Sequence, residues 1–281
     1  MFQIEDALMI VAAVIVYVDP AQQAEGQVRI ARSIANKFDA SIIGVSAFAV
    51  EQDFVAEGVI IQETTPEDLE RMKAALAEEE GWFRDIVALP KEKVEWRWNV
   101  EFPTAFLVNE ARSADLVVIK CKQERVDPYR LIDPAGAVLR MGRPTLLVPE
   151  HIHELEGDRI VLGWRDAREA RLAVRDALPF FTRAAEVTII EICTSDEQDL
   201  ARQRVRDVAK YLHGHGAKCQ TDVRVYAAES DARHLSRLAK EAGADLIVTG
   251  AYGHSRLGEW IFGGMTHGLL DEPPCCLMMS H

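Results

Sequence analysis

The chain has 281 residues, of which 48% are hydrophobic and 27% are charged, and its formal net charge is −13. This composition is typical of a globular protein of about two domains, and it excludes wholesale disorder. The acidic balance disfavours general binding to nucleic acid or to an anionic membrane surface.

The first half alternates strand-like and helix-like segments. Its apolar run from Ala7 to Val18 is shorter than the ~20 residues that a bilayer span needs, and Glu5 and Asp6 precede it. We therefore expect a cytoplasmic protein with no transmembrane helix and no signal peptide. The predicted strands and helices, in chain order, are Val14–Val18, Gln23–Phe38, Ser41–Ala47, Pro66–Val87, Val94–Val100, Thr104–Arg112, Asp115–Ile119 and Pro144–Val148.

The second half follows the same plan after the polar segment Glu150–Asp158, which is interpreted as a linker. We expect one domain over residues 1–150 and a second over residues 155–281. Strands alternating with helices predict right-handed βαβ units and a mostly parallel sheet. The predicted elements are Arg159–Trp164, Ala167–Phe181, Glu186–Cys193, Gln198–His213, Cys219–Tyr226, Asp231–Ala242, Asp245–Thr249 and Cys275–Met279.

The two halves repeat each other near their ends. The segment Ala114–Val118 aligns with Ala244–Val248, and the same offset places Leu147 opposite Leu277 without a gap. One offset that serves two strands and the loop between them indicates a duplicated domain.

A glycine-rich loop follows the strand that ends at Thr249. Gly250 and Gly253 come first, nine residues follow, and Gly263 and Gly264 then begin a predicted helix. Glycines allow the backbone to turn sharply and to approach an anion, and a helix N-terminus adds partial positive charge. In an open parallel sheet, ligands bind at the carboxyl ends of the strands, which is where this loop lies. Spacing alone leaves two readings equally open: a phosphate cradle, or glycines that only form turns and caps.

The stretch ADLIVTGAYGHSRLGEWIFGGMT, Ala244–Thr266, resembles the ATP-binding signature of universal stress protein domains, which is G-x-x-G, nine residues, then G-[S/T]. The C-terminal sequence also resembles that of bacterial tandem members. The resemblance implies two tandem Rossmann-like α/β domains, each with a five-stranded parallel sheet in the order 3-2-1-4-5. It also implies an internal pseudo-dimer through the last strands and leaves a further homodimer open.

The resemblance further implies an adenine-nucleotide site in the second half, for ATP or another adenine nucleotide with or without Mg²⁺. Ile192 would lie beside the adenine, and the glycines and the start of the last helix would lie at the phosphates. Arg165 stands where the family usually has Asp, and Gly264 stands where it usually has Ser or Thr. The implied binding residues are Gly163, Trp164, Arg165, Ile192, Thr249, Gly250, Gly253, Gly263, Gly264, Met265 and Thr266.

The first half lacks the glycine loop. At the same offset Gly250 becomes Lys120, Gly253 becomes Gln123, Gly263 becomes Asp133 and Gly264 becomes Pro134. Proline has no N–H, and an aspartate repels phosphate. We therefore expect a degenerate first domain that does not bind nucleotide in this way.

No catalytic nucleophile, structural metal site or disulfide is predicted, and the five cysteines are interpreted as reduced packing residues. The leading expectation is a nucleotide-binding stress or signalling protein that acts by conformational change or by binding an unknown protein partner. Two alternatives stay open: a slow ATPase or autokinase, with Asp166 beside Arg165, and a protein- or lipid-binding scaffold that has lost nucleotide binding.

Overall fold

The computed structural model describes residues 11–19, 24–50, 54–56, 59–62, 65–121, 127–226, 229–252 and 264–281. The first half begins with a buried strand and ends with another. Its elements are β1 (Ala13–Tyr17), α1 (Glu25–Phe38), β2 (Ser41–Phe48), β3 (Phe54–Ala56), β4 (Val59–Gln62), α2 (Pro66–Val87), β5 (Val94–Val100), α3 (Pro103–Glu110), β6 (Leu116–Lys120), α4 (Pro134–Met141) and β7 (Thr145–Val148).

The second half repeats this succession without a counterpart of the short strands β3 and β4 among its described residues. Its elements are β8 (Arg159–Gly163), α5 (Arg168–Asp176), α6 (Leu178–Phe181), β9 (Glu186–Cys193), α7 (Gln198–Gly214), β10 (Cys219–Val225), α8 (Asp231–Glu241), β11 (Leu246–Gly250), α9 (Gly264–Asp271) and β12 (Cys276–Ser280).

The main sheet is continuous and has ten strands, in the order β10-β9-β8-β11-β12-β7-β6-β1-β2-β5. The predicted α/β class and the parallel pairing within each five-stranded half are confirmed, and the two halves form one sheet. Strands within each half pair in parallel, whereas β12 and β7 pair antiparallel and join the halves. This junction covers two strand edges whose N–H and C=O groups would otherwise lack partners in the sheet. If the strands of each half are numbered along the chain without the β3–β4 hairpin, their order from the outer edge of the sheet is 3-2-1-4-5 in both halves.

Equivalent residues of the two halves have equivalent contacts. At the junction Leu277 pairs with Leu147, its counterpart in the repeat. Asp115 accepts hydrogen bonds from the backbone N–H groups of Ala12 and Ala13 at 2.8 and 3.1 Å, just before and at the start of β1. Asp245 does the same for Asp158 N before β8, at 3.0 Å. The offset that was read from the sequence therefore relates matching positions in space.

Apolar side chains fill a layer on each face of the sheet, because parallel strands with helices on both sides are buried on both faces. Val16 and Leu162 point to the layer beneath α1, α2, α5 and α7. Ile15 and Val161 point to the opposite layer, beneath α3, α4, α8 and α9. The sheet is thus the middle of three layers, and the carboxyl ends of its strands remain accessible between the helices.

Some local elements differ from the prediction. The antiparallel pair β3–β4 and helix α4 were not predicted. The predicted helix Ala167–Phe181 is two helices, because Pro179 has no N–H and its ring clashes with the preceding turn. Helix α2 begins at Pro66 as predicted, with a reciprocal capping box between Thr65 and Asp68.

All five cysteines are free thiols, and all but Cys219 are buried. Burial raises the pKa of the Cys275 thiol to about 12, and the negative charge of Asp245 adds to this increase. In the part of the chain that the structure describes, no helix has the length and apolar character that crossing a bilayer requires.

Candidate functional site

A pocket of about 550 Å³ lies at the carboxyl ends of β8, β9 and β11 in the second half. The N-terminal turns of α5, α8 and α9 border it. The pocket is lined by Gly163, Trp164, Arg165, Ala167, Glu169, Ala170, Ile190, Ile192, Tyr226, Ser230, Asp231, Leu235, Thr249, Gly250, Tyr252, Gly264, Met265 and Thr266.

Glycine is required at the end of β11. A Cβ on Gly250 would lie 2.5 Å from the backbone nitrogen of Ala170 and 2.6 Å from the carbonyl carbon of Glu169. Both atoms belong to the first turn of α5, so they cannot move aside as the end of a flexible side chain can. Gly250 therefore lets α5 approach the strand end closely. A Cβ on Gly264 would meet no described residue within 4 Å.

The inner walls of the pocket are mainly apolar. Ile190 and Ile192 come from β9, Leu235 from α8, and Trp164 follows β8. Trp164 is 9% exposed, and its indole Nε1 has no hydrogen-bond partner among the described residues. A buried donor without an acceptor carries a desolvation cost, which a ligand that accepts this hydrogen bond would remove.

Among the described residues, the charged groups that line the pocket are Arg165, Glu169 and Asp231, and Glu169 is paired with Arg168 at 3.7 Å. Asp231 lies in the first turn of α8, and the hydroxyl of Ser230 caps that helix by accepting from Arg233 N at 3.4 Å. Burial raises the pKa of Tyr226; the charge of Asp231 raises it further, and that of Arg165 lowers it. Both charges therefore act on the Tyr226 hydroxyl in the same region.

Tyr252 holds the turn after β11. Its φ is +59°, and its backbone N–H donates to Thr266 Oγ1 of α9 at 3.2 Å. The preceding residue, Ala251, donates its N–H to Ser280 O at 2.9 Å. Burial raises the pKa of the Tyr252 hydroxyl to about 12, and the charge of Asp133 in the first half adds to this increase. This turn therefore contacts α9 and lies within electrostatic range of the other half.

The structure brings most of the sequence-predicted binding residues to one pocket. Gly253 and Gly263 lie outside the described residues; the other predicted residues all line the pocket. The sequence analysis missed the polar lining residues Glu169, Tyr226, Ser230, Asp231 and Tyr252, and the apolar lining residues Ala167, Ala170, Ile190 and Leu235. The pair Ser230-Asp231 has a detectable signal, since a capping serine followed by an acidic residue marks a helix start after the third strand.

In the first half, the segment that leads to the second half lines a cavity of about 320 Å³ together with Lys120 and the start of α1. Lys120, the counterpart of Gly250, pairs with Glu150 at 3.3 Å. A Cβ on Gly26, in the first turn of α1, would lie 2.7 Å from His153 Nδ1 and 3.0 Å from Ile152 O. The linker thus packs directly on the N-terminal turn of α1, the helix that corresponds to α5.

Within the described ranges, no group of three or more histidine, cysteine, aspartate or glutamate residues is arranged to hold a metal ion. Asp166, the carboxylate beside Arg165, forms an ion pair with Arg171 and does not line the pocket.

Residues 169–281 match the family model of the universal stress protein family. The fold of the whole chain resembles that of a universal stress protein from Archaeoglobus fulgidus DSM 4304, with 11% identity, a TM-score of 0.71 and 95% of each chain covered. It also resembles a functionally unknown protein from Pseudomonas aeruginosa PAO1, with 14% identity and a TM-score of 0.58; the match covers 96% of this chain and 92% of that one. A putative universal stress protein from Pseudomonas aeruginosa UCBPP-PA14 is 13% identical, with a TM-score of 0.57 over 96% of this chain and 93% of that one. At these identities the likeness shows the fold. No curated protein sequence gives a significant match.

Proposed function

We propose that the protein binds an adenine nucleotide in its second half as part of a stress response, because residues 169–281 match the family model of the universal stress protein family and the whole chain resembles that fold. The observation that carries the proposal is the pocket at the carboxyl ends of β8, β9 and β11, which is lined by residues predicted from the sequence. Ligands of open α/β sheets bind in this position.

The lining residues fit the parts of a nucleotide. Trp164, Ile190 and Ile192 offer apolar surface for a purine ring, and the unpartnered indole N–H offers one donor. The start of α9 at Gly264 offers backbone N–H groups to a phosphate. The phosphate of a bound nucleotide would add negative charge at the start of α9. No hydrolytic step is proposed, because Asp166 forms an ion pair with Arg171 and does not line the pocket.

The output of binding is proposed to be conformational or to act through a protein partner. The turn at Tyr252 is bonded to α9 and lies within electrostatic range of Asp133 in the first half. The pairing of Leu277 with its counterpart Leu147 supports an internal pseudo-dimer, as a local two-fold axis between the halves would produce it. A ligand that contacts the turn at Tyr252 therefore has a short route to the other half.

The proposal is tested by denaturing the natively purified protein and identifying released small molecules by mass spectrometry, together with thermal shifts in ATP, ADP and AMP. A ligand at 100 times its Kd stabilises by about 2.7 kcal/mol, which raises Tm by several degrees. Gly264→Asp should abolish the shift by placing a negative charge at the start of α9, whereas Gly264→Asn, of the same size, should retain it. Neither side chain would clash with a described residue, so both variants should fold. No released nucleotide and no shift of the wild-type protein at millimolar concentrations would refute the proposal.

A further inference from the structure

The indole N–H of Trp164 is a buried donor without an acceptor among the described residues. Trp164 also lines the pocket at the carboxyl ends of β8, β9 and β11. A donor that has lost its bond to water and gained no other bond costs free energy, so buried polar groups in native proteins almost always have a partner. This donor therefore requires an acceptor that the described part of the chain does not supply.

The backbone fixes the position of this indole. The backbone N–H of Trp164 donates to Ile190 O at 2.8 Å, which extends the pairing of β8 with β9 by one residue beyond Gly163. Trp164 packs in the same core layer as Leu162, two residues earlier on the strand. Ala170 of α5 also packs in that layer and lines the pocket. Trp164 therefore lies where this core layer meets the pocket.

The first half shows that the fold does not need a donor at this position. The pairings of β1 with β6 and of β8 with β11 make Val18 the counterpart of Trp164. Val18 is buried in the same layer, and its backbone N–H donates to Val45 O at 2.8 Å, the bond that Trp164 makes to Ile190 O. A valine side chain has no polar atom. The sheet and its core layer therefore accept a wholly apolar side chain here, and the indole N–H is not required for packing.

We propose that the indole N–H of Trp164 recognises the base of the ligand by donating a hydrogen bond to one of its unprotonated ring nitrogens. The inference rests on the proposed function and assigns base recognition in the same site to a named residue. Adenine offers N1, N3 and N7 as acceptors in the plane of its ring. A base that lies against the apolar side chains of Ile190 and Ile192 brings one edge toward the end of β8, where Trp164 is located. A base with a C–H at that edge would leave the donor unpaired and would bind more weakly.

The test is calorimetric titration of the full chain with the nucleotide, AMP, ADP or ATP, that gives the largest thermal shift, and with its 1-deaza, 3-deaza and 7-deaza analogues. Each analogue replaces one ring nitrogen by C–H. One of them is expected to bind about tenfold more weakly than the parent nucleotide, the effect of one lost hydrogen bond to a buried donor. Trp164→Phe should weaken the parent nucleotide by about the same factor and should bind the parent and that analogue alike, because the partner of the ring nitrogen is gone.

Trp96→Phe is the matched control. Trp96 also has a buried indole Nε1 without a partner among the described residues, but it lies on β5 in the first half and does not line the pocket. This variant should bind the parent nucleotide and every analogue as the wild type does.

The outcomes separate this inference from the proposed function. If the parent nucleotide binds and every analogue binds equally tightly, no ring nitrogen is recognised and the inference is overturned, while nucleotide binding stands. This comparison uses the wild-type protein and does not depend on the folding of a variant. If Trp164→Phe weakens the parent nucleotide and every analogue by one common factor, the indole acts by packing alone, which also overturns the inference. If no adenine nucleotide binds the wild-type protein, the proposed function fails and base recognition fails with it.

Discussion

Glu79 makes the first half sensitive to pH. It lies on α2, and its Oε2 is 3.3 Å from Ser46 Oγ at the end of β2. Burial raises the pKa of Glu79 to about 7; the Ser46 hydroxyl lowers it, and the negative charge of Asp19 raises it further. Ser46 has one hydroxyl proton, and this proton also has an acceptor in Val18 O at 2.8 Å. The hydroxyl therefore stabilises the ionised form of Glu79 only weakly.

The size and sign of the effect follow from the two pKa values of Glu79. The rise from 4.5 to about 7 is ~2.5 units, or about 3.4 kcal/mol at 1.36 kcal/mol per unit. Because Glu79 keeps partial contact with solvent, screening reduces this figure, and we expect about 1–2 kcal/mol. The folded state holds the proton more tightly, so the contribution is fully present below pH 4.5 and is lost as pH rises through 7.

Glu79→Gln should remove this dependence, because glutamine is neutral at every pH and keeps a similar shape. Urea unfolding between pH 5 and pH 8 should show the wild-type protein losing about 1–2 kcal/mol more than the variant. Glu78→Gln removes the exposed neighbouring carboxylate and should follow the wild type. Parallel wild-type and Glu79→Gln curves would show that Glu79 titrates alike in the folded and unfolded chain, and the reasoning would be wrong.

Three further predictions concern the second half. Gly250→Ala should cost about 1–3 kcal/mol of stability because its Cβ would meet the backbone of α5, whereas Gly264→Ala should be nearly neutral in urea unfolding. Gly264→Ser should lower the calorimetric Kd for AMP about two- to tenfold, because its hydroxyl adds one hydrogen bond to phosphate; an unchanged Kd would place the phosphate elsewhere. Arg204→Met should cost about 2–3 kcal/mol, because it leaves the buried Glu191 carboxylate without its cation, while Arg202→Met, at an exposed pair, should change stability by about 0.5 kcal/mol or less. Equal losses for the two arginine variants would contradict the last comparison.

Much of the fold was predictable because parallel strands covered on both faces are continuous apolar runs. The sequence repeat identified the equivalent strands of the two halves. Asp115 and Asp245 illustrate this, because each accepts a hydrogen bond from the backbone just before the first strand of its own half. Pairing of the halves through their last strands was expected from the family resemblance alone, because the residue pattern within either half does not specify which strand edge meets the other half. The predicted boundary between a domain of residues 1–150 and one of residues 155–281 stays a prediction.

The site was predictable where the chain itself carries the signal. The ends of β8 and β11 and the start of α9 follow from the glycine pattern. Tyr226 follows β10, and Asp231 begins α8. Neither element carries a glycine motif, and both residues reach the pocket only through the order of strands in the sheet. A sequence pattern predicts local structure, whereas the contacts of Tyr226 and Asp231 with the pocket depend on which strands are neighbours in the sheet.

The two halves together show what the fold requires and what the pocket requires. The same strand order accommodates Lys120 at the end of β6 and Gly250 at the end of β11, so the sheet alone does not demand glycine there. Gly250 is needed because the first turn of α5 occupies the position that a Cβ atom would take. This close packing places Glu169 and Ala170 at the edge of the pocket. In the first half, the linker residues Ile152 and His153 pack on α1 instead, and Lys120 pairs with Glu150. The first half thus keeps the strand order without glycine at the end of β6, and the close approach of α5 is what requires Gly250 at the end of β11.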